Sequence, residues 1–324
     1  MPTELHEQLT KYLTDAHSIE EQALAQLRTA PDLAGDPELA RAFREHLAET
    51  EEHERIVSRL LDARGASPSR VKDAVMAVGG KGFLLFARLQ PDTPGKLVAH
   101  AFSYEGLELA AYELLARTAD RAGEEDVAAA ARSIGEQERE MIERLEAGFD
   151  RAVEASLREH PRGDLADLVR KYLADAHALE EQAIALLERA PGMSEDERLA
   201  RVYEEHLAET RDHAELVAAR LDALGGDPSS LKDAAMRLGA LNWGAFFQGH
   251  PDTPGKLAAF AFAFEHLETA GYEELRRVAE RADDEETAAL AARIAGEERA
   301  AAEKISAQFD VAAEASLASQ NLSS

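Results

Sequence analysis

Phe43-Arg44-Glu45-His46-Leu47-Ala48-Glu49-Thr50-Glu51-Glu52-His53 returns later in the chain as Tyr203-Glu204-Glu205-His206-Leu207-Ala208-Glu209-Thr210-Arg211-Asp212-His213. The stretch reads as the middle of a helix. Leu39, Phe43, Val57 and Leu60 recur at spacings of three and four, Asp36 ahead of Pro37 is a start signal, and Gly65 is a stop. His46, Thr50 and His53 occupy the places where that apolar stripe should continue. At ~100° per residue, His46, Glu49 and His53 lie within about 60° of one another. A buried helix face interrupted by histidines and flanked by a carboxylate is the feature to be explained.

The repetition extends over the whole chain at a constant offset of 160 residues. Tyr12-Leu13-Thr14-Asp15-Ala16-His17 returns as Tyr172 to His177, and Pro91-Asp92-Thr93-Pro94-Gly95-Lys96-Leu97 as Pro251 to Leu257. The sequence therefore predicts two copies of one domain, over 1–160 and 161–324, joined near His160-Pro161-Arg162-Gly163. Each copy reads as four helices: Glu4 to Thr29, Pro37 to Arg64, a third from Asp92-Thr93-Pro94 to Gly123, and a fourth from Glu124 to Leu157. Short loops make the first two and the last two antiparallel hairpins. The long connection between helices two and three is a crossover, with a short helix over Ser69 to Val78 and a glycine-broken apolar stretch. The fold class is all-α, two tandem four-helix bundles.

Composition narrows the function. Of 324 residues 45% are apolar and only 6% aromatic, which favours helices over strands. The net charge of −27 argues against nucleic acid or an anionic membrane as partner and makes cations the natural opposite charge. The absence of cysteine excludes disulfides, zinc–thiolate sites, iron–sulfur clusters and thiol catalysis. No run of ~20 apolar residues and no leader-like start is evident, so a cytoplasmic location is expected.

Each predicted helix carries a carboxylate at or beside its buried face: Glu20; Glu49; Glu105 and Glu108; Glu138. The second copy repeats them as Glu180, Glu209, Glu265, Glu268 and Glu298, with His206 and His213 for His46 and His53. Residues equidistant from the turn of a hairpin lie level. Glu20 and Glu49 straddle position 34.5 and Glu108 and Glu138 straddle position 123, both within their turns. Both pairs sit ~22 Å from the turn at 1.5 Å per residue. A lone glutamate in a seam more often reaches water or pairs with a base. Four at one level, twice over, predict a shared cation, because isolated buried anions are costly. Glutamate and histidine suit iron, manganese or zinc. His17, three residues before Glu20, is a further candidate near the site, and Tyr12 and Tyr112 read as packing residues whose hydroxyls reach a core polar group.

These residues resemble the ferritin-like superfamily, whose di-metal sites take one glutamate from each of two helices and a Glu-x-x-His from each of the others. More closely, Tyr12 to Gln22, Phe43 to His53 and Glu105-Gly106-Leu107-Glu108-Leu109-Ala110-Ala111-Tyr112 look like the YciE/YciF-type ferritin-like metal-binding family, as does Glu265-His266-Leu267-Glu268. The resemblance implies a di-iron-type site, with iron as cofactor and manganese or zinc as alternatives, and an association with stress. The chain departs from the pattern at Thr50, where a glutamate would precede His53, and at Met141 and Ala301, where a histidine would follow Glu138 and Glu298. Ile142 and Ala302 stand where the close family has an aspartate.

Three functions follow as expectations. The first is a metal-binding protein that oxidises ferrous iron with oxygen or peroxide. The second is a di-metal oxidase or oxygenase of a small organic substrate, with Phe83, Phe86, Trp243, Phe246 and Phe247 as pocket lining. The third is a non-catalytic helical interaction protein. Tandem duplication predicts pairing of the two bundles within the chain, as a monomer or small homo-oligomer rather than a cage.

Overall fold

The computed structural model describes residues 2–66, 93–158, 164–226 and 252–322. All the regular structure among them is helical. The first unit contains α1 (Pro2–Leu27), α2 (Ala30–Leu33), α3 (Pro37–Ala63), α4 (Thr93–Ala122), α5 (Glu125–Glu146) and α6 (Phe149–Leu157). The second contains α7 (Leu165–Leu187), α8 (Ala190–Met193), α9 (Glu197–Ala223), α10 (Thr253–Arg281), α11 (Glu285–Ser306) and α12 (Phe309–Ala318). The chain divides between Glu159 and His160 into these two compact units. The residues of the crossovers, including the short helix expected over Ser69 to Val78 and the aromatic residues Phe83, Phe86, Trp243, Phe246 and Phe247, lie outside the described residues.

Within the first unit α1 packs on α3 and α4 on α5 as antiparallel hairpins, and α1·α4 and α3·α5 contacts close the bundle. The start of α3 follows its sequence signals: the Asp36 carboxylate accepts hydrogen bonds from the backbone N–H of Glu38 (2.9 Å) and Leu39 (3.2 Å). The turn before it holds Gly35 at a φ of +66°, which favours glycine, and its absent Cβ would stand 2.9 Å from Pro94 Cγ. The fourth helix predicted to run from Glu124 to Leu157 is two helices. Backbone N–H groups of Ala147 and Gly148 turn back to Glu143 and Leu145, and α6 then lies against α4. The same break recurs at Ala307 and Gln308, so its cause is the tightened turn and not the glycine.

Two seam assignments shift by one residue. A helical stripe through Leu9 and Ala16 would pass through Tyr12, and the α3 stripe through Leu60, but Leu13 and Leu61 are the fully buried residues. Leu9, Leu13, Val57, Leu61, Tyr112, Leu115, Val127, Ala131 and Ile134 form an apolar layer at one end of the bundle. Beyond the middle of α1 and α3 the buried residues are again apolar: Ala23, Leu27, Phe43 and Leu39, with Phe102 against Phe149 (centroids 5.3 Å apart). The polar residues between these layers are shielded at both ends. Among the described residues no helix is long and apolar enough to cross a membrane.

Candidate metal centre

Glu20 on α1, His46 and His53 on α3, Glu105 and Glu108 on α4, and Glu138 on α5 meet between the two apolar layers. All six are buried. The arrangement is set by helix spacing: His46 and His53 are seven residues apart, two turns along one face, and Glu105 and Glu108 are separated by three. His46 Nε2 lies 3.0 Å from Glu105 Oε2 and 3.4 Å from Glu138 Oε2. His53 Nδ1 lies 2.9 Å from Glu138 Oε1 and 3.8 Å from Glu20 Oε2. Tyr112 Oη donates to Glu20 Oε1. Neither oxygen of Glu108 meets a hydrogen-bond partner.

Donor atoms of His46, Glu105, Glu108 and Glu138 all lie within 4.8 Å of one another, and so do those of Glu20, His53 and Glu138. The two sets share Glu138, which could therefore serve both if each set held a cation. The second unit repeats both sets, as His206, Glu265, Glu268 and Glu298 and as Glu180, His213 and Glu298. There His206 Nε2 is 2.9 Å from Glu265 Oε2, His213 Nδ1 is 2.8 Å from Glu298 Oε1, and Tyr272 donates to Glu180. Glu268, like Glu108, has two buried oxygens without a hydrogen-bond partner.

Each histidine has one nitrogen turned inward and the other held outside. His46 Nδ1 meets Glu49 Oε2 at 2.9 Å, and Arg144 Nη2 holds the same oxygen at 2.7 Å. His53 Nε2 meets Gln137 Oε1 at 3.2 Å. In the second unit His206 Nδ1 meets Glu209 at 3.4 Å, Lys304 Nζ holds Glu209 at 2.9 Å, and His213 Nε2 meets Glu297 at 2.8 Å. An outside acceptor fixes the tautomer, so the inward nitrogen presents its lone pair once a cation displaces the proton. Glu49 and Glu209, grouped with the ligands by helical spacing, thus stand on the far side of the imidazole from Glu105 and Glu265. Gln137, Glu297, Arg144 and Lys304 left no signal in the sequence, because α3 and α5 are not hairpin partners. The missing histidine after Glu138 has a counterpart here: α3 supplies both imidazoles.

The electrostatics show a deficit of positive charge. Among the described residues no lysine or arginine pairs with Glu20, Glu105, Glu108 or Glu138. Burial, then the Glu138 charge, pushes the Glu20 carboxyl from 4.5 up to about 8, against the pull of His53 and Tyr112. Burial raises Glu105 to about 7 against His46, and it raises Glu108 well above the usual range with help from Glu138, Glu20 and Glu105. Burial would also raise Glu138, but the His53 hydrogen bond and the charges of His46 and His53 outweigh it and hold that carboxyl low. Burial alone would lower His46; Glu105 and Glu49 overcome it and lift the imidazole well above 6.5. Glu265 at about 7 and His213 at about 9 repeat the pattern. Metal-free, the centre is satisfied only by holding extra protons. Two divalent cations would remove that need, and the carboxylate and imidazole donors fit hard-to-borderline ions.

The family model of a domain of unknown function, DUF892, matches residues 4–158 and again residues 164–318, so the chain belongs to that family and carries its domain twice in tandem.

Proposed function

We propose that each repeat is a ferritin-like centre for two divalent cations bridged by Glu138 or Glu298, with iron as the metal and oxidation of ferrous ion as its reaction. The observation that carries this reading is the pair of buried carboxylate oxygens on Glu108 without a hydrogen-bond partner, reproduced on Glu268, in cores where, among the described residues, no lysine or arginine pairs with them. One position would be held by His46, Glu105, Glu108 and Glu138 and the other by Glu20, His53 and Glu138. When bound, ferrous ions supply electrons one at a time to oxygen or peroxide and become ferric. The chain's own residues hold the ions adjacent, give up protons from Glu20, Glu105 and the two imidazoles on binding, and keep bulk water away through the apolar layers.

An organic-substrate oxidase would need room beside the metals. The cavity next to Glu105, lined by Gln26, Phe43, His100 and Tyr104 among others, holds about 20 Å³, enough for a water molecule. Among the described residues, that volume has room for oxygen, peroxide or water. The test is anaerobic ferrous loading followed by oxygen. The two cores of the intact chain are expected to bind about four equivalents and oxidise them, and Glu138→Gln with Glu298→Gln to lose those core equivalents and the oxidation. Undiminished binding in that double variant would overturn the reading. Absence of stoichiometric metal from the intact chain, with unchanged stability after chelation, would favour a non-catalytic interaction protein.

A further inference from the structure

A second, smaller donor cluster stands on the α1–α3 seam of the first repeat. His17, Glu21 and Glu54 each offer one atom within 4.8 Å of the other two. His17 Nε2 is 3.2 Å from Glu54 Oε1, and Ser58 Oγ donates to that same oxygen at 2.7 Å. His17 and Glu21 share a helix face at a spacing of four. His17 is 4% exposed, while both carboxylates are half-buried. A cation here would be reachable from solvent, unlike one in the core.

The charge pattern separates this cluster from the other half-buried acids. Glu49 has Arg144, Glu113 has Arg117 and Arg139, and Glu209 has Lys304. Among the described residues neither Glu21 nor Glu54 pairs with a lysine or arginine, and the one imidazole between them carries at most a single positive charge. Two carboxylates held within one coordination sphere repel unless a cation lies between them. The duplication supplies an internal control. The second repeat keeps His177 and Glu181 but has Ala214 for Glu54 and Ala218 for Ser58.

We propose that His17, Glu21 and Glu54 form a third divalent-cation site of the first repeat, half-exposed at the α1–α3 seam and without a counterpart in the second. One imidazole and two carboxylates leave coordination positions for water and suit manganese, ferrous iron or zinc. The site flanks the core, since Glu21 follows Glu20 and Glu54 follows His53. It is independent of the core ligands and exchanges its ion faster than they do.

Equilibrium dialysis with Mn²⁺ tests it on the full chain carrying Glu138→Gln and Glu298→Gln, so that the count does not depend on the core reading. Adding Glu54→Ala is expected to remove one equivalent. That substitution installs the residue the second repeat already carries, so the fold is preserved. Adding Ala214→Glu with Ala218→Ser instead is expected to create one more equivalent. An unchanged count with Glu54→Ala would overturn the site while leaving the core proposal standing. Anomalous scattering from manganese beside His17 would support it independently.

Discussion

Stripping the metal should make stability fall as pH rises, the reverse of ordinary acid denaturation. The argument starts from Glu20, whose carboxyl moves from 4.5 to about 8 on folding, burial being the main cause. An acid whose pKa is raised in the fold binds its proton more tightly there, so its contribution is full below 4.5 and is lost as pH climbs through 8. Between pH 5.5 and 8 this single group withdraws about 3 kcal/mol, at about 1.4 kcal/mol per pKa unit. Glu105, raised to about 7, acts in the same direction, as does the raised His46 imidazole. These groups share protons, so their losses do not add fully. Glu49, held at about 2 by His46 and Arg144, works the opposite way, but only below its ordinary 4.5 and outside this window. For a repeat of this size about 3 kcal/mol is roughly 6–12 °C in Tm. Differential scanning calorimetry of chelated protein from pH 5.5 to 8 should record that fall. Metal-loaded protein should not follow it, because cation binding displaces the protons and strengthens as pH rises. Glu20→Gln with Glu180→Gln should flatten the metal-free slope and leave the acidic surface untouched. A metal-free Tm that stays level or rises, or a slope that survives the double substitution, would refute the reasoning.

Other substitutions probe the support around the centre. Glu49→Ala should weaken metal binding by the first repeat roughly 10- to 100-fold without removing an equivalent; loss of an equivalent by dialysis would make Glu49 a ligand. Asp36→Ala removes both hydrogen bonds at the start of α3 and should cost about 1 kcal/mol in urea unfolding. Glu195 occupies, at φ +54°, the turn position that is Gly35 in the first repeat. Glu195→Gly should therefore raise stability by roughly 0.5–1 kcal/mol, since a left-handed conformation costs ~1–2 kcal/mol for a side chain with a Cβ. A decrease would show that Glu195 makes contacts worth more than its strain.

The bundle could be read from the sequence because its signals are local. Asp36-Pro37, Gly65, Gly123 and the three–four stripe of α3 fix where helices start, stop and face, and the 160-residue repetition doubles each signal. That Glu108 and Glu138 lie level could be read from their equal distances to the turn at Gly123, since hairpin partners are level by construction. What could not be read depends on contacts between helices that share no turn. The Gln137 oxygen on His53 and the Arg144 guanidinium on Glu49 cross from α5 to α3, and no spacing along the chain encodes that crossing. The same gap hid the position of Glu49, because helical phase gives a residue's direction but not which side of a neighbouring imidazole it reaches. The break at Ala147 has no signal common to both repeats, since Gly148 becomes Gln308, and it is accompanied by the docking of α6 on α4.

Crystals of the chain loaded with ferrous iron under anaerobic conditions, measured on either side of the iron absorption edge, test the central proposal most directly. The account predicts two anomalous peaks in the core of each repeat, one among His46, Glu105, Glu108 and Glu138 and one among Glu20, His53 and Glu138, with the equivalent pair around Glu298. Cores without iron peaks, their carboxylates joined instead by short proton-sharing hydrogen bonds, would contradict it.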